Sequence, residues 1–203
     1  ELSEAAARLL SALPDGPLVG VSLRALPGEP AASAGQRVCA DAAAHDLAPC
    51  LRRWGARAVP LPLYPAQDGP PLDRLAAVLG PLAVPWPVDV EPADLSPADW
   101  LALFGRLEFV LTMRLHGLIF AACAGVPFVA VGSDPKLAAH VAELGLSRAP
   151  FLIERTGLAE ALEAVWAERQ RWRAAITAGA LRLRERALVT ARRALAVTRG
   201  VAA

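Results

Sequence analysis

The chain has 203 residues, a formal net charge of +1, and 55% apolar against 20% charged residues. A chain this apolar has material for one ordinary core, which excludes intrinsic disorder, and its near-neutral charge excludes a polyelectrolyte that grips nucleic acid by bulk charge. Its 3 cysteines, an odd number without metal-ligand spacing, exclude a disulfide scaffold and a structural zinc site.

Leu2, Ala5, Ala6, Leu9, Leu10 and Leu13 recur at helical spacing, and Pro14-Asp15-Gly16-Pro17 closes that helix. Leu18-Val19-Gly20-Val21-Ser22-Leu23-Arg24 is a nearly continuous apolar run, as in a strand buried on both faces. A Gly/Pro/Ala loop follows to about Gly35, and Gln36 to Trp54 reads as a helix stopped by Gly55. Ala58 to Leu63 reads as a strand whose two prolines make it an edge strand or a short one. Leu72 to Leu79 reads as a helix and Ala83 to Trp86 as a short strand.

Ser96-Pro97-Ala98-Asp99 has the residues of a helix start, with Ser at the N-cap, Pro at N1 and an acid at N3. Beyond Gly105, the strands 108–112, 127–131 and 151–153 alternate with the helices 116–124 and 135–144. Two final helices are expected at about 158–178 and 180–197. This alternation predicts an α/β fold: a Rossmann-like parallel sheet of about six strands with helices on both faces. Ligands of such sheets sit beyond the carboxyl ends of the strands.

Three strand-end loops carry the chemistry. Arg24 follows the first strand and is either a surface residue or a partner for an anion. Thr112-Met113-Arg114-Leu115-His116-Gly117 follows the fourth. Arg114 offers a planar fork suited to a carboxylate or phosphate. His116 stands at a helix N-terminus, where the dipole favours an anion, although a histidine there can also serve only as a cap. Gly132-Ser133-Asp134-Pro135-Lys136 follows the fifth strand, with Ser133 or Asp134 as cap. Lys136 lies in the first helical turn, where a cation opposes the dipole, and it is the single lysine of the chain. Together these residues suit a small anion bearing phosphate or carboxylate, with His116 able to move a proton.

Other features rank lower. From Arg155 to Gly200 ten arginines face four acids, a basic stretch that fits a solvated helix face, phosphates or an anionic membrane surface. Glu160 and Glu168 have a Glu-x7-Glu spacing met in some glycosyltransferases but fall in a charged helix. Cys39, Cys50 and Cys123 read as small core residues, and His45 and His140 carry no assigned role. No Gly-x-Gly-x-x-Gly follows the first strand and there is no P-loop, which weakens dinucleotide and NTPase readings. The apolar run from Gly117 to Gly132 is too short to span a bilayer. The opening Glu1-Leu2-Ser3 lacks Met and a basic n-region, so no signal peptide is read and the start is expected to be a cut inside a longer protein.

The run Val110-Leu111-Thr112-Met113-Arg114-Leu115-His116-Gly117-Leu118-Ile119-Phe120-Ala121-Ala122, continued through Gly125-Val126-Pro127-Phe128-Val129-Ala130 to Ser133-Asp134-Pro135-Lys136, resembles the polysaccharide pyruvyl transferases, and within them the CsaB-like branch. Val19 to Arg24 resembles the strand that opens the C-terminal half in that family. The resemblance covers roughly residues 18 to 146. It implies a glycosyltransferase-B-like architecture of two domains, of which this chain is the C-terminal half. Residues 1–16 would then be a helix linking the domains, 17–156 the Rossmann-like donor-binding domain, and 157–203 basic helices that pack on it or cross to a missing N-terminal domain.

The resemblance further implies phosphoenolpyruvate as donor, and as acceptor an N-acetylmannosamine-like hexosamine of a cell-wall polysaccharide or its lipid-linked precursor. The product is a pyruvate ketal, with phosphate released and no cofactor or metal. By motif position Arg24, Arg114, Leu115, Ser133, Asp134 and Lys136 fall in the donor site, with His116 catalytic. The expected setting is the bacterial cytoplasm, at or near the inner face of the membrane, with no nucleic-acid partner. Two other readings stay open on the residues: a glycosyltransferase of the same architecture using a nucleotide sugar, and a non-catalytic anion-binding domain.

Overall fold

The computed structural model describes residues 2–24, 34–153 and 156–198, without the side chains of 34–39 and of Val197. The expected loop over 25–33, Arg155, Arg199 and the Cys39 side chain lie outside the described residues. Five parallel strands form one sheet in the order β2-β1-β3-β4-β5. They are β1 (Leu18–Ser22), β2 (Arg57–Pro60), β3 (Phe109–Thr112), β4 (Phe128–Val131) and β5 (Leu152–Ile153).

Every residue of β1 and β3 is buried, as their unbroken apolar runs require of strands covered on both faces. β2 is an edge strand ending in Pro60, where the missing N–H costs no ladder bond. The expected sixth strand at 83–86 shrinks to a single bridge from Ala83 to Ala58, with the Val84 N–H donating to the Ala58 carbonyl at 2.7 Å. Pro85 and Pro87 explain the loss, because neither can donate to a ladder.

The helices are α1 (Glu4–Ala12), α2 (Ala34–Trp54), α3 (Pro65–Leu79), α4 (Pro97–Phe104), α5 (Leu115–Cys123), α6 (Pro135–Glu143), the single turn α7 (Arg148–Phe151), α8 (Leu158–Ala167) and α9 (Arg169–Thr198). Trp54 of α2 stacks on Trp166 of α8 at 4.2 Å, and both rings lie against Phe109. Trp100 and Phe104 of α4 meet Phe120 of α5. α1 buries Ala6 and Leu9 and packs on α4, where the Ser3 N–H donates to Asp99.

Local signals locate α4 as expected: the Ser96 hydroxyl accepts from the Asp99 N–H, and the Asp99 carboxylate accepts from the Ser96 N–H in return. Two boundaries differ from expectation. α3 begins at Pro65 and runs through Gly69-Pro70-Pro71, which reads locally as a breaker; the Asp68 carboxylate accepts the Tyr64 N–H at 2.8 Å and closes its first turn. The break in the C-terminal helices falls at Glu168, and α9 continues through Gly179. A Cβ on Gly179 would overlap the Leu144 carbonyl, so this glycine serves close approach to the end of α6 and not chain reversal.

Candidate functional site

The strand order places β1 and β3 side by side, although α2, β2, α3 and α4 separate them in sequence. Their carboxyl ends form the topological switch point, the crevice where sheets of this order take ligands. Arg24 follows β1 and Arg114 follows β3, so the two arginines stand at either side of it. The loop of Ser133, Asp134 and Lys136 follows β4, the next strand along.

Arg114 is the N-cap residue of α5. Its backbone is pinned by Thr112, whose hydroxyl accepts the Arg114 N–H at 2.9 Å and donates to the Arg114 carbonyl at 3.0 Å. The guanidinium is not free. Its Nε donates to Asp68 Oδ1 at 2.9 Å, Nη2 pairs with the same oxygen, and Nη2 also donates to Gln67 Oε1 at 2.9 Å. Three of its five N–H donors are thereby committed, and the two on Nη1 have no partner among the described residues. The guanidinium also lies 5.7 Å from the centre of the Tyr64 ring.

Asp68 is the residue that the sequence reading missed. It is fully buried, while the Arg114 side chain keeps 17% of its surface exposed. Burial pushes the Asp68 carboxyl above its ordinary value; the hydrogen bonds from Arg114 and Tyr64 and the charges of Arg114 and Arg24 pull it back. Arg24, half-buried, therefore acts on the same carboxylate from the β1 side. The signal available in the sequence was an acid four residues after Tyr64, at the carboxyl end of the second strand, but Gly69-Pro70-Pro71 disguised it as a loop residue.

Of the other expected residues, His116, Ser133 and Lys136 are open to solvent, whereas Leu115 and Asp134 are half-buried. His116 is exposed at the second position of α5, and no side chain caps this helix. Leu115, half-buried, packs against the core. Asp134, not Ser133, caps α6 by accepting the Lys136 N–H at 2.9 Å. Ser133 and Lys136 are exposed. Neither the His116 ring nor the Lys136 ammonium has a partner among the described residues, so both remain available to a ligand. Ser22 Oγ, buried at the end of β1 in register with Thr112, has no hydrogen-bond partner there either.

Glu168 pairs with Arg171, and Glu160 is exposed, as for a solvated helix face. Cys50 is buried as expected, whereas Cys123 is exposed, because it falls on the outer side of the last turn of α5. No helix among the described residues is long and apolar enough to cross a membrane.

No curated protein matches the chain. Residues 55–135 match the family model described as polysaccharide pyruvyl transferase. The matched segment runs from just before β2 to the first residue of α6; Arg24 and Lys136 lie outside it, while Asp68, Arg114 and His116 lie within. The part of the sheet that builds the Arg114 loop is thus the part in which this chain is similar to the polysaccharide pyruvyl transferases.

Proposed function

We propose that the switch point between β1 and β3 binds phosphoenolpyruvate, and that the chain transfers its pyruvyl group as a ketal onto two hydroxyls of a hexosamine. The observation that carries this reading is the pair of arginines flanking the crevice, beside the uncapped start of α5. Phosphoenolpyruvate bears a carboxylate and a phosphate, so it needs two cationic partners set apart and gains from backbone N–H groups at a helix start. Arg24 and Arg114 are such partners, and Lys136 on the neighbouring loop supplies a third positive charge.

The reaction balances without an oxidant. The two sugar hydroxyls bond to C2 of the donor, and its C2–O bond to phosphate breaks. One hydroxyl proton is matched by a proton delivered to the methylene carbon, which becomes a methyl group. The other leaves with inorganic phosphate. His116, exposed at the mouth of the crevice, is the group that moves a proton in one of these steps. The cations stabilise the charge growing on the departing phosphate. A two-domain arrangement would bring the acceptor sugar to the open side of these loops.

Calorimetric titration tests the donor. The protein should bind phosphoenolpyruvate, and Arg114→Ala should abolish that binding. A uridine-diphosphate sugar that binds in its place would instead make the protein a glycosyltransferase.

A further inference from the structure

We propose that Asp68 is a positioning residue: together with Gln67 it turns the Arg114 guanidinium so that Nη1 is the edge presented to the donor anion. This inference rests on the donor reading above and goes beyond it, because it says how Arg114 meets its ligand. An unpaired Arg114 would present a bidentate fork and could pivot about its long side chain. Here the Nε/Nη2 side is closed by Asp68 Oδ1, and the outer hydrogen of Nη2 is closed by Gln67 Oε1 at 2.9 Å. What remains is Nη1, a directed single contact. The second carboxylate oxygen is tied to the Tyr64 N–H at 2.8 Å, so Asp68 is itself anchored to the start of α3. The clamp therefore joins the loop after β2 to the loop after β3, across the end of β1 where Arg24 stands.

A buried carboxylate beside an anion site has two opposing effects on binding. It repels the donor, and it orients the arginine that attracts it. Removing it should therefore change donor affinity little. Orientation is felt in the chemical step, where misplacement of about 1 Å can cost about 100-fold in rate. Asp68→Asn is thus expected to lower kcat at least about tenfold while the KM for phosphoenolpyruvate moves less than about threefold.

The experiment compares Asp68→Asn and Gln67→Ala in the intact protein, each with Arg114 and with Arg114→Lys, which keeps the charge but cannot be forked. If Asp68 acts through Arg114, its substitution costs nothing further in the Arg114→Lys background. Equal losses in both backgrounds, or an unchanged kcat for Asp68→Asn, overturn the inference. Should Asp68→Asn fail to fold, the exposed Gln67 carries the test, with a severalfold loss of kcat that again vanishes with Arg114→Lys. A wild-type protein that does not bind phosphoenolpyruvate overturns the donor reading and this inference together; binding with additive losses overturns the inference alone.

Discussion

The Thr112 hydroxyl occupies the space that a side chain at Gly117 would need. A Cβ built on Gly117 overlaps Thr112 Oγ1 and comes within 3.3 Å of Leu63. The first turn of α5 can therefore sit on the end of β3 only because residue 117 is glycine. The same hydroxyl holds both the N–H and the carbonyl of Arg114, so helix position and arginine position are set by one contact. Gly117→Ala should destabilise the fold by about 1–3 kcal/mol, the usual cost of overpacking a tight contact, and should also weaken phosphoenolpyruvate binding. Urea unfolding and donor titration measure the two effects. A variant as stable as wild type would mean that α5 can slide away freely.

His116 makes no hydrogen bond or ion pair with the described residues and is exposed, so its removal should leave the fold intact. His116→Ala is expected to keep its phosphoenolpyruvate affinity within about threefold and to lose turnover by about 100-fold or more, as for loss of a proton-transfer group. Titration and a phosphate-release assay separate the two. Loss of binding with normal turnover at saturating donor would make His116 a ligand contact instead.

Asp99 accepts from the Ser3 N–H at 3.0 Å, the Ser96 N–H at 2.9 Å and the Ser96 hydroxyl at 2.8 Å. These donors, led by the Ser3 N–H, hold its carboxyl down to about 2, from an ordinary value of 3.8. A depressed value means that the native state binds fewer protons than the unfolded chain between these two pH values. The stabilisation is complete above 3.8 and is lost as the pH falls through about 2. Asp99→Asn should therefore be less stable than wild type at neutral pH, with the gap closing at pH values near 2. Denaturant midpoints across that range provide the check, and a gap independent of pH would contradict the assignment.

Cys50 donates to the Asp46 carbonyl at 3.5 Å, and its thiol is pushed up to about 12, first by burial and then by the Glu163 carboxylate. Cys123 is exposed at the surface, and only the partial desolvation of its thiol raises it, with no charged neighbour adding to the shift. Because the thiolate is the nucleophile, alkylation of the native protein at mildly basic pH should label Cys123 before Cys50. Cys50 should react only on unfolding. Peptide mass spectrometry after a timed iodoacetamide pulse reads the order, and equal rates would show that α2 opens readily near Cys50.

Those elements whose cause is local were legible in the sequence. The start of α4 is written in Ser96-Pro97-Ala98-Asp99, because capping involves groups three residues apart. The buried strands β1, β3 and β4 are written in their apolar runs, and the strand-end position of Arg24, Arg114 and Lys136 follows from counting the alternation. The 83–86 segment and the run through Gly179 were misread because an apolar run does not reveal whether its prolines block a ladder, nor a glycine whether it breaks a helix or admits a neighbour.

The tertiary structure alone decided what Arg114 does with its donors. Asp68 lies 46 residues away in sequence, in a stretch whose composition signals a loop. The two meet because the sheet order 2-1-3-4-5 brings the ends of β2, β1 and β3 together and because α3 begins early enough to aim Asp68 back across β1. Periodicity and capping act over one or two turns of chain, so they determine elements and their ends. Which buried charge faces which is set by strand order, and the cost of an unpaired charge in the interior then requires a partner that no local pattern announces.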